Sequence, residues 1–244
     1  MPTSTTLIVG ASGATGRLLV TQLLEQGQTV RAMLRSKASL PAALLEHPQL
    51  SVIEASVLDL SDAELAEHVN GCDAVASCLG HTLSAKGIWG QPRRLVTDAT
   101  RRLCAAIRAN SPGAPCKFVL MNTVGNRNHD LDERISLAEH LVMGLLRLCV
   151  PPHPDNEQAA DYLRTQIGQN DPLIQWVAVR PGGLTDHDTV TPYDLHPSPT
   201  SSAIFGSGKV SRINVANLMA RLITDATLWT TWRGQMPVIY DAGT

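Results

Sequence analysis

No sign of charge dominates this 244-residue chain: 20 Lys and Arg stand against 22 Asp and Glu, a formal net charge of −2. Without the basic field that draws proteins to polyanions, neither nucleic acid nor an anionic membrane is an expected partner. A membrane span is also missing. The longest helical apolar stretch, Leu141 to Val150, is interrupted by Gly144 and Arg147 and is too short for a hydrocarbon core of about 30 Å, so it reads as a core or lid helix. The opening MPTST leads directly into an apolar strand, without a basic segment and long apolar run, and no export signal is expected. Five scattered cysteines (Cys72, Cys78, Cys104, Cys116, Cys149) form no C-x-x-C pair, which argues against both a disulfide framework and a zinc site. The consecutive Asp186-His187-Asp188 cannot readily converge on one ion, so no metal is expected. These absences leave a cytoplasmic protein, monomer or homodimer, acting on a small molecule. With 43% apolar residues, residues 1–244 suffice for one domain around one core.

What is present is an alternation of short β-favouring runs and amphipathic helices. Thr6 to Val9 is a strand closed by Gly10, and Arg17 to Gln26 carries leucines on helical spacing until Gly27. Thr29 to Leu34 is the second strand, a short helix spans Ser39 to Leu45, and the third strand lies within Leu50 to Leu58, ending at Asp59. Ser61 and Glu64 have capping-box spacing for a helix to Val69; Asp73 to Leu79 is the fourth strand. A one-faced helix from Arg94 to Ala109 precedes a central strand, Lys117 to Met121. A helix is expected from residue 134 to Cys149, a break at the prolines 151–154, another helix from Asp155 to Ile167, and a sixth strand from Ile174 to Val179. Residues 181–208, rich in Pro, Gly, Ser and Thr, read as a substrate-side loop before a helix near Val215 to Thr224 and a last strand at Met236 to Tyr240. Strands joined through helices require right-handed crossovers, so the expected class is α/β, a Rossmann-like doubly wound parallel sheet with helices on both faces.

The strongest chemical signal is Gly10-Ala11-Ser12-Gly13-Ala14-Thr15-Gly16 between the first strand and first helix. There, unpaired backbone N–H groups and the positive helix end suit a pyrophosphate. Gly10 permits the tight turn, Gly13 removes a Cβ from the approach of the phosphates, and Gly16 lets the helix pack close to the sheet. Ser12 and Thr15 offer hydroxyl donors, and Ala14 a backbone amide. An NAD site wants a carboxylate at the end of the second strand, where this chain has Arg31-Ala32-Met33-Leu34-Arg35-Ser36. A guanidinium at Arg35 instead suits a 2′-phosphate, with Ser36 donating alongside and Arg31 as a further helper, so the expected cofactor is NADP. Asp59-Leu60 and Cys78-Leu79-Gly80 close the third and fourth strands, where adenine and the nicotinamide ribose are expected.

Taken together, the glycine string, V-R-A-M-L-R, S-V-L-D-L, G-C-D-A-V-A-S-C-L-G and W-V-A-V-R-P-G-G-L resemble an atypical short-chain dehydrogenase/reductase of the NmrA-like, NAD(P)H-binding group, nearly end to end. L-R-S-K-A-S-L-P-A and K-V-S-R-I-N-V-A-N-L-M-A resemble its biliverdin reductase B/flavin reductase branch. The resemblance implies a hydroxyl residue at Thr123, with Asn122 beside it, and places the R-P-G turn at Arg180-Pro181-Gly182, bordering the nicotinamide.

The departure from the wider superfamily is the missing Tyr-x-x-x-Lys: Tyr162 has Gln166 four residues on, and Lys37, Lys86, Lys117 and Lys209 are the only lysines. Proton transfer must then come from another group, with His153, His129, His81 or solvent as candidates. The leading expectation is an NADPH-dependent oxidoreductase acting on a small carbonyl, flavin or quinone, since reduced flavins and quinones can take their proton from water. The alternatives are an NmrA-type redox sensor without catalysis and, less consistent with the missing Tyr and short C-terminal portion, a nucleotide-sugar epimerase or dehydratase.

Overall fold

The computed structural model describes residues 4–81, 90–131, 133, 142, 144, 152–202, 206 and 208–243. The expected helix from residue 134 to Cys149 lies outside the described residues apart from Gly144 and position 142.

In chain order the elements are β1 (Thr5–Val9), α1 (Ala14–Glu25), β2 (Thr29–Leu34), a 3-10 turn at Lys37–Ser39, α2 (Ala42–Leu45), β3 (Leu50–Glu54), α3 (Asp62–Val69) and β4 (Ala74–Ser77). There follow α4 (Leu95–Asn110), β5 (Cys116–Met121), α5 (Pro152–Tyr162) with a wider turn at Leu163–Ile167, β6 (Ile174–Pro181), β7 (Gly183–Thr185) and β8 (Tyr193–His196). The chain ends in β9 (Lys209–Ser211), α6 (Arg212–Thr224), α7 (Ala226–Trp232) and β10 (Val238–Asp241). The main sheet has the order β3-β2-β1-β4-β5-β6-β10-β8. Every pair in it is parallel except β10 with β8. This is the Rossmann-like α/β architecture. Strand order reverses between β1 and β4, the point at which an open parallel sheet leaves a crevice at its carboxyl edge.

Strand periodicity sorts the core into two layers. Phe118 and Leu120 of β5 and Trp176 and Ala178 of β6 pack on the side of α3, α4 and α5 with Leu65, Leu103 and Ile107. The intervening Val119, Val177 and Val179 face α1, α6 and α7, meeting Leu19, Leu23, Leu218 and Trp229. A central strand with apolar residues on both faces is what a parallel sheet covered by helices demands, at about 1.5–3 kcal/mol for each large side chain buried. The capping box is present: Glu64 N–H donates to Ser61 Oγ at 3.2 Å and Ser61 N–H to Glu64 Oε2 at 2.8 Å.

Four expectations need correction. The third strand ends at Glu54 rather than near Asp59, because residues 55–60 fold back in a turn closed by Asp59 N–H to the Ser56 carbonyl, 3.0 Å. The prolines at 152 and 154 begin α5 instead of breaking before it, since a first helical turn has no intrahelical use for the N–H that proline lacks. Residues 181–208 are not all loop: β7 pairs with β9, and β8 adds an antiparallel edge to β10. The helix α7 had no sequence expectation at all; Asp225 caps it, accepting from Thr227 and Leu228 N–H.

Candidate functional site

A cavity of about 640 Å³ opens at the reversal point, walled by the ends of β1, β2 and β4 and by the turn after β3. Gly10, Ser12 and Gly13 line it, with Arg35, Asp59 and the run Cys78-Leu79-Gly80. Residues up to 70 positions apart are thus gathered on one rim, in the size range of small-molecule and cofactor pockets.

The glycine turn explains its own composition. Gly10 has φ of +74°, and a Cβ there would lie 2.6 Å from the Cys78 carbonyl carbon, so both conformation and close approach of β4 demand glycine. Gly13 N–H donates to the Gly10 carbonyl at 3.0 Å, and Gly13 caps α1 without using any side chain. A Cβ on Gly13 would meet only the Gly10 carbonyl oxygen, at 3.2 Å, which leaves its other side open among the described residues. At Gly16 a Cβ would collide with the Gly10 backbone; this glycine serves the fit of α1 against the turn. Ala14 and Thr15 form the first turn of α1, and Thr15 is buried, so the hydroxyl expected to face phosphate belongs to a residue packed against the fold. The residues fit a diphosphate: a side-chain-free bend, a helix N-terminus above it, and no acidic residue in the first turn of α1 to repel an anion.

At the end of β2 the structure separates two arginines that the sequence left as partners. Arg35 lines the cavity. Arg31 does not join it, because its guanidinium donates to the carbonyls of His68 at 2.8 Å and Asn70 at 2.7 Å, closing the C-terminal end of α3. Ser36 caps the short 3-10 turn that follows and is not part of the cavity wall. Asp59 is; its neighbour Leu60 turns the other way, its carbonyl accepting from Arg102. Cys78 is no nucleophile, since burial pushes its thiol up to about 12.

The groups expected to border the nicotinamide lie outside that cavity's wall, at the ends of β5 and β6. Asn122 is committed to the fold: Oδ1 accepts from Thr123 N–H at 2.8 Å and from Asn126, and Nδ2 donates to the Asn156 carbonyl at 3.0 Å. It therefore positions the loop and has little capacity for a ligand. Thr123 Oγ1 accepts from Gly125 N–H at 3.3 Å, which leaves the hydroxyl proton to donate elsewhere. His153 stands next to Gly125, with Nε2 3.4 Å from Glu157 Oε1 one turn further along α5. The Pro181 carbonyl accepts from Val124 N–H at 2.9 Å, joining the two strand ends. Arg180 is fully buried and makes a two-pronged pair with Glu133, at 2.8 and 3.1 Å, while also donating to the carbonyls of Asn126, Pro197 and Met236. Tyr162, the nearest analogue of a catalytic tyrosine, sits against the Arg101 guanidinium, 5.5 Å from its ring centroid.

Sequence reasoning underrated a further cluster. The Asp155 carboxylate, 1% exposed, accepts from the N–H groups of Val96 and Thr97 at 2.8 and 2.9 Å, capping α4 from outside. It also meets His81 Nε2 at 2.8 Å, and His81 lines the cavity beside Gly80. The only sequence signal was a histidine directly after the β4 glycine; nothing local pointed to Asp155.

Comparisons with known proteins agree with this geometry. The family model described as NAD(P)H-binding matches residues 10–226. A short-chain dehydrogenase/reductase from Veillonella parvula, solved in complex with NADP, superposes with a TM-score of 0.71 at 18% identity, covering 99% of this chain and 96% of that one. An anaerobillin reductase from Escherichia coli O157:H7 gives 0.67 at 17% identity over 99% and 98%. Among curated proteins, a 3β-hydroxysteroid dehydrogenase/Δ5→4-isomerase of Mycobacterium tuberculosis is 40% identical over 102 residues, 41% of this chain; the chain spans about a quarter of that enzyme's length, 24%.

Proposed function

Since the chain belongs to the NAD(P)H-binding family, we propose that it is an NADPH-dependent oxidoreductase of the atypical short-chain dehydrogenase/reductase type, reducing a small carbonyl, flavin or quinone. The observation that carries this reading is one cavity lined by the glycine turn, Arg35 and Cys78-Leu79-Gly80. Bound NADPH supplies hydride; the chain supplies position and exclusion of water. Backbone N–H groups at Gly10 to Gly13 hold the diphosphate, Arg35 the 2′-phosphate, and the 78–80 segment the nicotinamide ribose. Thr123 is placed to donate its hydroxyl proton to an acceptor oxygen. Names of similar proteins support the class: one was solved with NADP and another is a reductase.

A non-catalytic redox sensor is the second reading, favoured by Tyr162 being held against Arg101 with no lysine four residues on. Purified protein mixed with NADPH and a panel of flavins, quinones and aldehydes separates the two by loss of NADPH absorbance. Steady turnover with at least one acceptor is expected; tight binding without any turnover would select the sensor. Arg35→Asp is expected to weaken NADPH binding by about 1–3 kcal/mol, the scale of a charge-assisted bond, and to leave NADH affinity nearly unchanged. Equal losses for both coenzymes would refute a 2′-phosphate at Arg35.

A further inference from the structure

His81 and Asp155 are 74 positions apart, yet they meet at 2.8 Å with side chains only 5% and 1% exposed. The carboxylate is held rigidly. Oδ1 accepts from Thr97 N–H and Oδ2 from Val96 N–H, and the Asp155 carbonyl accepts from Thr97 Oγ1 at 2.8 Å. Three donors besides the imidazole thus fix Asp155 between α4 and α5, and the histidine it meets lies on the wall of the cofactor cavity next to Gly80. His153, the other histidine near this end, meets Glu157 and is not part of that wall.

We propose that His81 is the general acid of this site, with Asp155 as its positioning residue, and that the acceptor is a carbonyl compound. The inference rests on the reductase reading above and narrows its substrate class. A carboxylate at Nε2 fixes that nitrogen as the donor end of the ring, so Nδ1 is the nitrogen through which a proton is gained and released. In the reaction the carbonyl carbon takes up the coenzyme's hydride, the π pair moves to oxygen, and the Nδ1 proton of protonated His81 completes the O–H bond. The products are an alcohol, oxidised coenzyme and neutral imidazole, which is reprotonated from solvent. A quinone or flavin has no need of such an acid; an aldehyde or ketone, whose alkoxide is a strong base, does. The arrangement also accounts for the missing Tyr-x-x-x-Lys: the acid enters from the end of β4 rather than from the helix after β5.

The test uses the full chain with NADPH and 4-nitrobenzaldehyde or menadione as acceptors. His81→Gln is expected to lower kcat for the aldehyde by about a hundredfold, the usual worth of a general acid, with KM and the calorimetric Kd for NADP within about threefold of wild type. Asp155→Asn, read in the free protein by the ring ¹⁵N shifts of His81, is expected to move the imidazole away from the Nε2–H form. An unchanged aldehyde kcat in His81→Gln would overturn the proposal. So would loss of NADP affinity in step with kcat, which marks a strut, or ring shifts indifferent to Asp155→Asn. If wild type reduces menadione and no aldehyde, the carbonyl assignment falls while the reductase reading stands. If it binds NADP and reduces neither, the reductase reading itself fails and this inference with it.

Discussion

Replacing Gly16 by valine is expected to prevent normal folding, whereas replacing Gly13 by valine is expected to leave a folded chain that has lost its coenzyme. The two glycines are three residues apart in one motif and differ in what surrounds them. A Cβ at Gly16 falls on the carbonyl of Gly10, which cannot retreat because β4 packs directly behind the same turn. Forcing α1 outward would disrupt the layer that Leu19 and Leu23 form on the sheet, a loss of about 3 kcal/mol or more. At Gly13 the backbone is already in an extended conformation that any residue adopts, and the nearest atom need yield only slightly. Its cost in stability is expected to stay under about 1 kcal/mol, while coenzyme binding weakens on the order of a hundredfold because the added groups occupy the approach to the N–H donors. Urea denaturation and calorimetry on both variants check this; equal stability losses would mean that the turn is a packing feature and not a phosphate cradle.

Glu133→Ala is expected to destabilise the protein by about 3–5 kcal/mol, because it leaves the guanidinium of Arg180 charged and unpaired in the interior. Arg180 has no exposed surface. It ties the 122–133 segment, through Asn126 and Glu133, to β6, to Pro197 and to Met236. Glu133 also accepts from Asn128 N–H at 2.7 Å, so the same carboxylate closes the loop that carries Thr123. The double variant Arg180→Leu, Glu133→Leu removes both charges and is expected to be more stable than Glu133→Ala alone. Denaturation midpoints in which the single substitution costs less than about 1 kcal/mol would show that the pair is not sealed from water. For function, the R-P-G turn thus acts through its arginine as a clamp beneath the acceptor side and not as a ligand.

These two predictions divide what could be read from sequence from what could not. The glycine turn, Arg35, Asp59 and the 78–80 segment were legible because each is fixed by local chemistry at a strand end, and strand ends followed from the period of apolar residues. The edge strand β8 was not: Tyr193–His196 has no apolar alternation, and it is a strand because β10 offers it an edge. Arg31 and Arg35 looked equivalent on one strand until α3 was seen to claim the first. Asn122 was misjudged in the same way, its amide consumed by a helix carbonyl 34 residues downstream. Asp155 with His81, and Arg180 with Glu133, are pairs made by the tertiary fold, and no spacing rule connects their members.

Isothermal titration of the unmodified chain with NADP and then with NAD tests the claim on which the rest depends. Saturable heat with NADP, and binding of NAD weaker by at least about tenfold, or roughly 1.4 kcal/mol, is the expected result. Equal affinity for the two would contradict the role of Arg35, and absence of heat with both would contradict the cradle at Gly10 to Gly16.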